Sequence, residues 1–169
     1  MKELDTWCRV SNLTKNMHSA LHHPTHTCQG SIALLGDACH PTLPYQSQGA
    51  AMAVEDGIAL GILLGKLSKS NLPPSKIPEV LRLYELTRKE RTTVNVEGAV
   101  TNRKLYHMDG PEADARNDAF TRVNWDDPDS NFEWGWGNVG YLKRLMAFDT
   151  IAEAGRQFDE WLTGLGTHG

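Results

Sequence analysis

Ser31 to Leu64 reads SIALLGDACHPTLPYQSQGAAMAVEDGIALGILL, and the order of its parts decides how the chain folds. Ile32-Ala33-Leu34-Leu35 is a short apolar run stopped by Gly36, the pattern of a strand buried on both faces, with Asp37 at its C-terminal end. Ligands of open α/β sheets bind at such strand ends. A proline-punctuated loop leads to Gly49, which lets backbone approach a bound group closely. Ala50 to Leu64 then reads as a helix whose free N-terminal N–H groups favour an electron-rich ligand edge. Strand, turn, loop and helix together form a ligand cradle.

The residues of that cradle carry a family likeness. Gly36-Asp37-Ala38-Cys39-His40-Pro41, then Pro44, then Gln48-Gly49-Ala50-Ala51-Met52 and Glu55-Asp56-Gly57 resemble the second FAD-binding signature of the class A FAD-dependent aromatic monooxygenases. Within that family the likeness is to the salicylate-hydroxylase-like branch. The resemblance implies that the Asp37 carboxylate hydrogen-bonds the ribityl chain and that Pro44 lies beside the isoalloxazine ring. It sets the backbone of Gln48, Gly49 and Ala50 against the pyrimidine edge, with Gly36 and Ala51 completing the cofactor-binding set. It also implies FAD as cofactor, NAD(P)H as co-substrate and a small aromatic or enol-like substrate. No catalytic residue is assigned. The fold implied is the C-terminal portion of an α/β, Rossmann-like flavoprotein hydroxylase, so this chain is expected to be mainly α with one buried strand.

Electrostatics favours the same placement. A reduced flavin holds negative charge near N1 and the C2 carbonyl, and a helix N-terminus at Ala50 to Ala53 supplies partial positive charge there. Asp37 alone is also an ordinary turn or N-cap aspartate. Glu55 and Asp56 have a ligand-free reading as well, since acids in the early turns of a helix are favoured by its dipole.

Composition narrows the function classes. The chain has 169 residues, 40% of them hydrophobic, enough for one domain with a real core. Its net charge of -4 and the lack of any basic cluster interleaved with aromatics argue against nucleic acid. MKELDTWCRV is too polar for a signal-peptide core and the apolar run from Gly57 to Leu67 is too short to span a bilayer, so a cytoplasmic protein is expected. Cys8, Cys28 and Cys39 form an odd set without paired spacing and read as free thiols. The Asn12-Leu13-Thr14 sequon has no meaning without a secretory signal.

Beyond the signature the chain reads as helix. Ser68 to Pro78 is a polar, proline-rich connection, and Glu79 to about His107 follows as a long helix started by Pro78. Tyr84, Arg88 and Arg91 fall on one face of it. The arginines read as structural, solvated or salt-bridged beside Glu85 and Glu90. Asp109 to Asn131 reads as a loop with one short helix, and Val139 to Leu162 as a last amphipathic helix. Its candidate core contacts are Leu142, Leu145, Met146, Ile151, Phe158 and Trp161. The expected division is a divergent segment 1–28, the FAD signature 29–67 and a helical region 68–169.

Two patterns invite over-reading. Gly135-Trp136-Gly137-Asn138-Val139-Gly140 matches GxGxxG, but no apolar strand precedes it and bulky Trp136 would sit where backbone must meet pyrophosphate. His18, His22, His23, His26 and Cys28 crowd together without the spacing or acidic partner of a metal centre, so no metal is expected. His40 reads as a packed turn residue. Family members carry a first dinucleotide motif and a substrate-binding sheet upstream of the Gly-Asp signature, and neither is found here. Cys8 to His26 fits the family poorly. A truncated, catalytically inactive relative or a helical partner-binding protein is therefore the alternative reading, and so is a small helical module unrelated to flavin. A protein partner or a dimer is the expected way to complete the sheet.

Overall fold

The computed structural model describes residues 27–124, 126–127, 132 and 138–166. Cys8, the Asn12 sequon, the four clustered histidines and the 135–137 part of the GxGxxG match lie outside them. Two strands, β1 (Cys28–Gln29) and β2 (Ile32–Ala33), pair antiparallel with Gln29 opposite Ile32. Gly30, at φ +59, opens the two-residue turn between them, as the Gly-first pattern of tight hairpins requires. The sequence offered no second strand run, because a two-residue partner leaves no period to read. β2 is shorter than expected and only half-buried. Leu34 leaves the ladder but is tied on both sides, its N–H to the Thr27 carbonyl and its carbonyl to the Tyr84 hydroxyl.

The remaining elements are helices: α1 (Gly49–Lys69), α2 (Ile77–Tyr106), α3 (Gly110–Thr121), α4 (Val139–Met146) and α5 (Thr150–Gly166). α1 ends where Asn71 takes a left-handed conformation, φ +57, and Pro73 and Pro74 forbid its continuation. Pro78 sits in the first turn of α2, where a missing N–H costs nothing. At 30 residues α2 is ~45 Å long and forms the spine of the molecule.

One apolar core joins three helices. Ala59, Leu63 and Leu67 of α1 meet Val80, Leu83 and Tyr84 of α2 and Ala154 and Phe158 of α5, with Cys28, Ala33 and Trp161 packed around them. Each large side chain so buried contributes roughly 1.5–3 kcal/mol relative to exposure. Past Tyr84 the buried face of α2 turns polar, through Thr87, Arg88, Arg91, Thr92, Asn95 and Asn102. Thr87, Thr92 and Asn95 satisfy donors on the carbonyls one turn back, and the two arginines reach across to α1.

The expected last helix is two. It breaks between Met146 and Thr150, where Asp149 caps α5 by accepting from the Ala152 N–H at 2.9 Å. The break shifts the helical phase. Leu145 and Phe158 are core residues as expected, whereas Met146 and Ile151 are 56% and 64% exposed. The region after Asp109 holds a 12-residue helix, α3, none of whose residues is buried.

Candidate functional site

The cradle is built around one buried carboxylate. Asp56, on the second turn of α1, has no exposed surface and accepts three hydrogen bonds, two from the 36–40 turn and one from α2. The Gly36 N–H donates at 2.8 Å, His40 Nε2 at 2.6 Å and Arg88 Nε at 2.8 Å. A carboxylate only accepts, so His40 presents its hydrogen on Nε2. Beside it Glu55 takes Arg88 Nη1 at 2.6 Å and Arg91 Nη2 at 2.9 Å. Phe148 faces both guanidinium groups, 5.8 and 5.7 Å from its ring centre. Two acids and two guanidiniums thus balance in a nearly dry space. Burial alone would raise the Asp56 pKa, but the hydrogen bonds from His40, Gly36 and Arg88 outweigh it and hold the carboxyl below its ordinary range. Glu55 follows the same pattern, with Arg91 and Arg88 overcoming desolvation.

This network fixes the Gly-Asp turn. Gly36 has φ +56, a conformation L side chains rarely adopt, and a Cβ there would press to 3.2 Å of Ala53 Cβ. Its N–H is held by Asp56, and its carbonyl accepts from the N–H groups of Cys39 and His40 at 2.9 and 3.0 Å. Gly36 is buried as a result, while Asp37 is carried out to solvent. Asp37 makes no hydrogen bond among the described residues. Its Oδ1 lies 3.8 Å from where a Cβ on Gly49 would stand, so the carboxylate overlooks the start of α1. Gln48, the residue before α1, gives that start no side-chain cap.

Among the seven residues expected at a cofactor, Gly36, Asp37 and Gly49 are brought together around this start. Pro44, Ala50 and Ala51 are exposed, and Gln48 is half-buried. Pro44 opens a single 3-10 turn, Pro44–Gln46, after which Ser47 at φ +52 swings the chain into Gln48 and α1. The arginines, read from sequence as structural on a solvated or salt-bridged face, are not solvated: Arg88 and Arg91 are buried and pair across to Glu55 and Asp56 on α1. Asp56 is therefore a tie between elements rather than a dipole acid alone, and Gln46, 2% exposed, went unnoticed as a loop residue. An acid pair in α1 and an arginine pair three residues apart in α2 was the available signal.

Cys39, His40 and Asp56 place three ligand-type atoms within 4.8 Å of one another. The Arg88 guanidinium on the same carboxylate opposes a cation there, and the Cys39 thiol is spent on the Gly36 carbonyl. Burial, with the nearby Asp56 charge, pushes that thiol up to about 12. Cys28 donates to the Leu81 carbonyl and burial pushes it up to about 11. Both are free, protonated thiols of low reactivity.

A free carboxylate beside an uncapped helix start, reached through a glycine-bearing turn, suits a polar cofactor with hydroxyls and an electron-rich ring edge. Comparison with known proteins finds relatives among the FAD-dependent monooxygenases. No protein-family model matches the chain. It is 44% identical over 93 residues to FAD-dependent monooxygenase OpS4 of Beauveria bassiana (strain ARSEF 2860), an alignment covering 54% of this chain and 21% of that protein. It is 37% identical over 113 residues to 3-hydroxybenzoate 6-hydroxylase of Polaromonas naphthalenivorans (strain CJ2), covering 66% of the chain and 26% of the enzyme. Against 3-amino-4-hydroxybenzoate 2-monooxygenase of Streptomyces cremeus the identity is 36% over 120 residues, 70% of the chain and 28% of the enzyme. The chain is homologous to the FAD-dependent aromatic monooxygenases, and its mainly helical structure matches a C-terminal portion of their fold. It spans less than a third of the length of these relatives.

Proposed function

We propose that this chain supplies the second flavin-binding element of an NAD(P)H-dependent aromatic monooxygenase, with residues 29–67 as that element and 68–169 as its helical support. The observation that carries the reading is Asp37, projected free beside Gly49 by a turn locked from behind through Gly36 and Asp56. FAD, when bound, supplies the redox chemistry that delivers oxygen to an aromatic ring. The protein's part is placement and field. Asp37 would hold sugar-alcohol hydroxyls, and the unpaired N–H groups of Gly49 to Ala51 would meet the electron-rich ring edge. Pro44 and Gln48 would bound the space between. A cytoplasmic setting fits the two free thiols, Cys28 and Cys39.

FAD titrated into the isotope-labelled chain should shift the amides of Gly36 to Ala38 and Gln48 to Ala51 while α5 stays unmoved. Shifts spread evenly, or none up to millimolar FAD, would count against the reading. Asp37→Ala should weaken that response by about 1.5–3 kcal/mol, the worth of a charge-assisted hydrogen bond. Gly49→Val, which puts bulk between Asp37 and Thr42, should do likewise. Gly61→Ala, in open space well inside α1, should leave FAD binding unchanged and stabilise by up to about 1 kcal/mol.

A second observation favours a docking role. The outward side of α1 carries Ala50, Ala51, Val54, Gly57, Ile58, Gly61 and Leu64 without a charge, and Val54 is 62% exposed. An uncharged helix face of this kind is suited to packing on a β-sheet, and Leu35, beyond β2, is also 41% exposed. We infer that the sheet-bearing part of the hydroxylase fold covers it.

A further inference from the structure

The turn Pro44–Gln46 is fastened to α2 at three successive levels. The Tyr45 hydroxyl pairs with His107 Nε2 at 2.9 Å, and Asn102 Nδ2 donates to the Tyr45 carbonyl at 3.1 Å. One helical turn further back the Gln46 side chain lies over Gly98. A Cβ on Gly98 would collide with Gln46 Nε2 and with the Tyr141 hydroxyl of α4, and would stand 3.0 Å from Tyr141 Cζ. Gly98 is buried in the interior of a long helix, where glycine is less favourable than alanine. The space it leaves is what these two side chains use.

Neither amide atom of Gln46 has a hydrogen-bond partner among the described residues, nor does the Tyr141 hydroxyl or, a turn back on α2, Asn95 Oδ1. All are buried. Buried polar groups in folded proteins are hydrogen-bonded, and leaving one unpaired is costly. These atoms complement one another: an amide donor and acceptor, a hydroxyl that does both, and a second amide oxygen.

We propose that Gln46 and Tyr141, meeting over Gly98 with their buried amide and hydroxyl groups joined through one bridging water, form a polar clasp that positions the turn carrying Pro44 to Gly49 against α2, so that α4, remote in sequence from the Gly-Asp signature, sets the geometry of the cofactor-facing loop. Gln46 and Tyr141 are positioning residues here. The flavin assigned under the proposed function enters only as what that loop holds.

The test is residue-resolved hydrogen exchange on the full chain without FAD. The reporters are the amides of Ser47, which donates to the Pro44 carbonyl, and Met52, which donates to the Gln48 carbonyl. Tyr141→Phe keeps the ring and removes the hydroxyl. It should speed exchange at Ser47 and Met52 roughly three- to tenfold, the effect of one lost buried hydrogen bond on local opening, with α5 amides unchanged. Gly98→Ala, which evicts both groups, should do at least as much, and adding Tyr141→Phe to it should bring little more. Parent-like exchange at both reporters in both single variants overturns the clasp, and so does equal acceleration in α5. Because FAD takes no part, this failure is distinct from absent FAD shifts in the parent chain, which would overturn the flavin reading alone.

Discussion

Asp56→Ala should destabilise the chain by about 3–5 kcal/mol, the largest effect expected of any single substitution here. Removing this carboxylate strips the buried Arg88 of one of its two acids, leaves the Gly36 N–H unpaired and frees His40 Nε2 at once. Asp56→Asn should recover little, since its amide nitrogen would point a donor at a donor. Chemical denaturation followed by circular dichroism measures the loss, and a change under 1 kcal/mol would contradict the network described. The pH dependence has a fixed sign. Asp56 and Glu55 are held below their unfolded pKa values, so their contribution is fully present above the ordinary carboxylate range of about 4. It is lost as pH falls through the depressed folded values. The melting temperature should therefore hold steady above about pH 5 and drop on acidification below about pH 4, more steeply than in a Glu55→Gln variant.

The chain alone should be no competent hydroxylase. It spans 21% to 28% of the relatives named above, and its described strands are two residues each, too little sheet to wall a cofactor on the side opposite α1. Expected are a helical circular dichroism spectrum, weak FAD binding at most and NADPH oxidation no faster than background. Ile58→Lys on the uncovered α1 face should leave the isolated chain folded and block its assembly with a sheet-bearing complement. Tight stoichiometric FAD binding with substrate-dependent NADPH oxidation by the chain as it stands would defeat this expectation.

Much of this was legible in sequence where the signal is local. Pro78 and the long periodic run after it marked α2, and Gly36-Asp37 with Gly49 marked the turn and helix start that the structure brings together. What stayed hidden depends on partners far along the chain. β1 is too short to show a period, and its pairing is decided by the turn at Gly30. The break at Asp149 interrupts a pattern that continues amphipathic on both sides, so Met146 and Ile151 looked like core. Arg88 and Arg91 were recognisable as structural, but nothing along α2 tells that their acids lie on α1, more than 30 residues upstream.

The reach of the Asp56 carboxylate also orders events during synthesis. Gly36 and His40 precede it by 20 and 16 residues, whereas Arg88 follows it by 32. As the chain emerges N-terminus first, the Gly-Asp turn and the carboxylate are exposed well before their counter-cation exists outside the ribosome. The carboxylate gains its Arg88 contact only after α2 has been made. A translational pause before Arg88 would prolong a stage in which an acid pair and the apolar side of α1 stand uncovered together, the stage at which this polypeptide would most need a chaperone.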